Sequence, residues 1–101
     1  MTLAEVETVL LALDGVRGST VRGQRTWTVS GRLVARAEDA STLVVRVELG
    51  ARERYVAAYP ATFAVTPRME RHQKMQVVLD HGNDDQVRRA LHGAWEMQRS
   101  D

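Results

Sequence analysis

Between residues 43 and 49 the chain alternates without a break, Leu43, Val45, Val47 and Leu49 against Val44, Arg46 and Glu48. A strand with apolar side chains at every second position buries one face and wets the other, so it belongs in an antiparallel sheet covered on one side. The cover must come from amphipathic helices, and two segments supply it. Thr2 followed by Glu5 has the form of a capping box, and Leu3, Val6, Val9, Leu10 and Leu13 then recur at helical spacing until Asp14-Gly15 offers a left-handed stop. Near the other end, Asn83 and Gln86 repeat the cap signature ahead of Val87, Ala90, Leu91, Ala94 and Trp95. Asp84 and Asp85 sit at the positive start of that helix and Arg99 near its negative end.

The remaining elements fit the same plan. Gly15, Gly18 and Gly23 punctuate a stretch that reads as loop. Arg25 to Val29 reads as a strand with Trp27 between Arg25 and Val29 on one face and Thr26 and Thr28 on the other, and Ser30-Gly31 suits a hairpin turn. Arg32 to Ala37 alternates Leu33, Ala35 and Ala37 against Arg32, Val34 and Arg36 before a polar turn at Glu38 to Ser41. Gly50 opens a short helix with Ala51, Tyr55, Val56 and Tyr59 inward, which Pro60 ends. Thr62 to Val65 and Gln73 to Leu79 read as strands, joined by a charged, proline-containing loop that suits an exposed hairpin tip. The predicted order is α-β(3)-α-β(2)-α, an α+β two-layer sandwich spanning residues 1–101 as one domain, with no internal repeat. At 101 residues the chain has room for one core but not for a large enclosed substrate cavity.

Several function classes drop out at this stage. With no cysteine, neither a disulfide framework nor a cysteine zinc site is available. The longest apolar run, Val9 to Leu13, is far shorter than a membrane span, and Glu5 and Glu7 stand where a secretory leader would be basic, so a cytoplasmic protein without membrane contact is expected. His72, His81 and His92 show no HxxxH or HExxH spacing, which argues against a metal site. Asp80-His81 lacks a nucleophile in a strand-turn-helix elbow, and no glycine pattern cradles a phosphate. No cofactor is implied, and the chain reads as non-enzymatic. Trp27, Tyr55, Tyr59 and Trp95 read as core, although Trp27, Tyr55, Tyr59 and His72 together would suit a small-molecule pocket. Met69 and Met75 are expected to be exposed beside the basic loop, where they would suit a protein partner.

Charge is informative only locally. The net charge is +1, too small to draw nucleic acid by a global field. From Arg17 to Arg36, however, there are five arginines and no acid, so the rest of the chain carries −4. An arginine-lined sheet face is also commonly a solvated surface, with pairs such as Arg46 and Glu48.

The helix followed by "LDGVRGS", the "WTVSGRLVAR" hairpin, "LVVRVELGARERYVAAYPATFAVTP", the "VVLD" strand and the final "VRRALHGAWEM" helix resemble the MmcQ/YjbR family of small bacterial proteins over nearly the whole chain. Two positions depart from its pattern: Met75 stands where members often carry tryptophan, and Ala94-Trp95 where they carry a serine-tyrosine pair. The resemblance implies the same α-β(3)-α-β(2)-α order, a fold also similar to secretion-chaperone domains. It further implies double-stranded DNA contacted by two hairpin wings with little base specificity. On this chain the wings carry Arg22, Arg25, Arg32 and Arg36 on the first and Arg68, Arg71 and Lys74 on the second. The rival expectation is a protein-interaction module, chaperone-like or homodimerising, with no nucleic-acid role.

Overall fold

The computed structural model describes residues 1–99. Its elements are α1 (Leu3–Leu11), β1 (Val16–Val21), β2 (Gln24–Val29), β3 (Arg32–Asp39), β4 (Thr42–Arg46), α2 (Leu49–Ala58), β5 (Phe63–Ala64), β6 (Lys74–Val78) and α3 (Asp84–Arg99), with 3-10 turns at Pro67–Met69 and Leu79–His81. The strands form one antiparallel sheet in the order β1-β2-β3-β4-β6-β5. The fold is α+β, a sheet with helices on one face.

The capping box expected at α1 forms, whereas at α3 the Asn83 side chain accepts from Gln86 N–H at 3.4 Å with no return bond from the Gln86 side chain among the described residues. The Thr2 hydroxyl accepts from Glu5 N–H while the Glu5 carboxylate accepts from Thr2 N–H, so the first turn of α1 is satisfied from both sides. Val6 and Leu10 of α1 meet Val87, Ala90, Leu91, Ala94 and Trp95 of α3 in one core with the sheet residues Trp27, Val29, Ala35, Ala37, Leu43, Val45, Val47, Met75 and Val77. Every position of the predicted α3 stripe is buried.

Four departures from the sequence reading have local causes. Strand β1 occupies the stretch read as loop, giving four strands before α2 instead of three. It carries no period-2 apolar signal, and its central residue is Gly18, over which the Arg25 guanidinium lies where a Cβ would project. The β1–β2 turn is Arg22-Gly23 and the β2–β3 turn Ser30-Gly31, both with positive φ at both residues, the twist-matched geometry of two-residue hairpins. Leu49, read as the end of an alternating strand, begins α2 and is 47% exposed. Met69 and Met75, expected at the surface, are buried: Met75 points into the core, and the 3-10 turn folds Met69 inward.

The fourth departure is a β-bulge. Trp27 faces Ala35, but Thr28 faces Leu33, leaving Val34 as the extra residue. Val34 stays in the core, and the alternation beyond it reverses, so Arg32 pairs with Val29 on the helix side of the sheet. Simple alternation had put Arg32 and Arg36 on the same face; the bulge separates them.

Candidate nucleic-acid interface

Cross-strand partners share a face, so the register shows which side chains the helix-free surface carries. One row across the sheet runs Thr26, Arg36, Val44, Gln76 and Ala64; the next sets Arg46 beside Lys74. Arg17 pairs with Thr28 on this same face at the β1 edge. Arg22, in the β1–β2 turn, borders a hollow of about 390 Å3 with Val21, Gln24, Thr26 and Arg36. Arg36 also borders a second, shallow groove of about 510 Å3 with Val44, Arg68, Met69, His72, Lys74 and Gln76. Because Arg36 lines both, the two depressions lie side by side across the face.

The predicted cations therefore divide. Arg22, Arg36, Arg68 and Lys74 come together on the helix-free face. Arg25 does not: it lies on the helix side, where its guanidinium pairs with Glu7 of α1, and the same carboxylate accepts from Trp27 Nε1 at 3.3 Å. Arg32, turned by the bulge, donates to the Gln98 carbonyl in the last turn of α3 at 3.3 Å. Arg71 is exposed in the loop before β6 and does not line the groove. Two cations not among the predicted contacts join the face. Arg46 was legible from the alternation that put it on the wet side of β4, whereas Arg17 requires β1 to be recognised. The surface pair anticipated between Arg46 and Glu48 does not form among the described residues; Glu48 instead borders a cleft between α2 and α3.

Acids on this face are few and engaged locally. Glu38 accepts from Gln24 Nε2 at 3.3 Å and stands 3.9 Å from Arg36. Asp39 accepts from Ser41 N–H at 2.9 Å, and this backbone bond lowers its pKa below the usual carboxylate value while it closes the β3–β4 turn. No carboxylate among the described residues pairs with Arg17, Arg22, Arg46, Arg68 or Lys74. The Nε atoms of Arg36 and Arg46 are buried without a hydrogen-bond partner, so their terminal NH2 groups carry what these side chains offer to solvent.

The loop bearing Arg68 and Lys74 is held by a residue the sequence reading passed over. Arg52 of α2 donates through Nη1 to the carbonyls of Met69 (3.0 Å), His72 (2.7 Å) and Lys74 (3.2 Å), and through Nη2 to Glu70 (3.3 Å). Four carbonyls around one guanidinium turn a charged loop into a fixed platform. The local sequence contains no sign of this, because the partners lie about 20 residues downstream.

The other candidate sites do not assemble. Trp27 is buried beneath α1, Tyr55 and Tyr59 pack on Phe63 with ring centroids 4.7 and 6.3 Å away, and His72 lies on the opposite face, so these four share no pocket. The histidines stand apart: the His81 carbonyl accepts from Thr62 Oγ1 at 2.7 Å, and His92 lies beside Trp95 and Glu96. No three metal-ligating side chains cluster among the described residues.

With this geometry the chain is similar to a Deinococcus radiodurans protein, DR2400, whose crystal structure contains a DUF419 domain. The TM-score is 0.82 at 17% identity, over 95% of this chain and 77% of that one. The two share a fold. No family model matches the sequence, and no curated protein matches it. Among the described residues no helix is long and apolar enough to cross a membrane.

Proposed function

We propose that this protein is a non-enzymatic binder of double-stranded DNA, of the MmcQ/YjbR type, and that it grips the phosphate backbone with the helix-free sheet face and not with two projecting wings. The observation that carries this reading is the placement of Arg17, Arg22, Arg36, Arg46, Arg68 and Lys74 on one face, whose larger groove has Glu38 and Asp39 as its lining acids, in a chain of net charge only +1. A duplex presents about one negative charge per 1.7 Å, so a molecule 31 Å in its longest extent covers roughly nine base pairs. Among the described residues the face presents no helix to enter a groove and no Phe, Tyr or Trp ring to stack on bases, which makes backbone contact its natural mode.

Fluorescence anisotropy with a labelled duplex at several salt concentrations tests it. If about four phosphates are neutralised, log K falls with log salt at a slope near −3.6, or roughly 150-fold between 50 and 200 mM. Arg68→Gln and Lys74→Gln should each weaken binding and reduce the slope by about one, while Arg25→Gln and Arg32→Gln leave the slope unchanged. Absence of binding at low salt, an affinity indifferent to salt, or an equal effect of Arg25→Gln would each end the proposal.

A further inference from the structure

The sheet guards its two edges differently. On one side β5 is only two residues long and stands between Pro60 and Pro67, a short edge that offers little to pair with. On the other side β1 runs six residues, pairs with β2 alone, and contains no proline, no lysine and no bulge. Two of the exposed large apolar side chains, Leu11 at 46% and Val21 at 49%, belong to β1 and to the helix packed on it.

The backbone phase of β1 can be worked out. A two-residue turn at Arg22-Gly23 makes Val21 and Gln24 a hydrogen-bonded pair, so Val21, Ser19 and Arg17 address β2, and Thr20, Gly18 and Val16 point outward. Val16 confirms the phase, since its N–H donates to the Leu13 carbonyl at 3.2 Å, away from β2. The N–H and C=O of Gly18 and Thr20 are left facing solvent from a regular strand.

We propose that a second copy of this chain pairs antiparallel along β1, with the two-fold axis passing through Ser19. Only same-parity registers keep both helical layers on one side of the joined sheet, and of these the Ser19-centred one sets Gly18 opposite the partner's Thr20 and satisfies all four outward groups of each strand. It also places Arg17 opposite Val21, so no like charges meet across the seam. A register centred on Gly18 would instead require the Val16 N–H that Leu13 already occupies. The joined sheet continues the helix-free face of one copy into that of the other, with both Arg17 side chains beside the seam.

Sedimentation velocity over ~1 to ~500 μM protein, the range in which a small strand-paired interface titrates, should show the mass rising from 11.3 kDa towards twice that value. Thr20→Pro removes an outward donor and no ladder bond, so it should melt like the wild type and stay at 11.3 kDa. The chain has no cysteine, so Ser19→Cys introduces a single thiol at a non-hydrogen-bonded self-pair with Cα atoms about 4.5 Å apart, within disulfide reach. Under mild oxidation it should cross-link at least tenfold faster than Thr20→Cys. A monomer throughout the range, a Thr20→Pro protein that still dimerises or melts early, or equal cross-linking of the two thiols would overturn the inference.

Discussion

Replacing Arg52 with alanine removes four hydrogen bonds at once and leaves the carbonyls of Met69, Glu70, His72 and Lys74 without their shared donor. Bonds to a charged donor contribute about 1.5–3 kcal/mol each when deleted singly. Here they share one guanidinium, two of them are 3.2–3.3 Å long, and water reaches the freed carbonyls on this partly exposed loop. Releasing the ordered arginine side chain also returns up to ~2 kcal/mol of conformational entropy. The net loss is therefore about 2 kcal/mol, which for a domain of this size lowers the melting temperature by roughly 8–16 °C. Circular dichroism melting measures it. Hydrogen exchange locates it, since the N–H groups of Met69, His72 and Lys74 donate to Thr66, Met69 and His72 within the loop and should lose protection first. Arg52→Lys should recover less than half, because an ammonium has three donors and no planar fork. A melting temperature within ~2 °C of the wild type, with unchanged exchange in this loop, would refute the assignment of Arg52 as its anchor.

Three further outcomes follow from other contacts. Glu7→Ala should cost about 1–2 kcal/mol in a denaturant titration, since it strands both the Arg25 guanidinium and Trp27 Nε1, whereas salt-dependent DNA binding should be unaffected. Ser30→Asn should stabilise by a few tenths of a kcal/mol because asparagine tolerates the left-handed conformation that Ser30 adopts at φ 52°, and Gly31→Ala at φ 75° should destabilise by about 1 kcal/mol; thermal melts decide both. Glu5 has its pKa lowered, first by the Thr2 N–H and then by the Thr2 hydroxyl. A lowered carboxylate contributes stability above its unfolded pKa and loses it as pH falls through the folded one, so acid titration should begin to melt α1 below the ordinary glutamate range. Glu5→Gln should remove that part of the pH dependence.

The parts of the fold that were legible from the letters are those set by contacts near in sequence. The Thr2 and Glu5 cap, the α3 stripe and the burial of Leu43, Val45 and Val47 each depend on spacing within one element, and each formed as read. Strand β1 escaped because its pairing, and not its composition, makes it a strand, and its central glycine serves a side chain from the neighbouring strand. Half-legible was the candidate interface: Arg36 sits on the face that alternation assigns it, while Arg32 was carried to the other side by an extra residue at Val34.

What the amino-acid order determined by itself was the α+β class, the two amphipathic helices and the core positions of α3 and of Leu43, Val45 and Val47, because periodicity and capping act over a few positions along the chain. Tertiary structure alone decided which arginines share a face. The sheet register sets the face of each one, a single bulge reverses that face for Arg32, Glu7 withdraws Arg25, and Arg52 fixes the loop that presents Arg68 and Lys74. Each of these depends on partners brought close only by folding, so no window of local sequence contains the information.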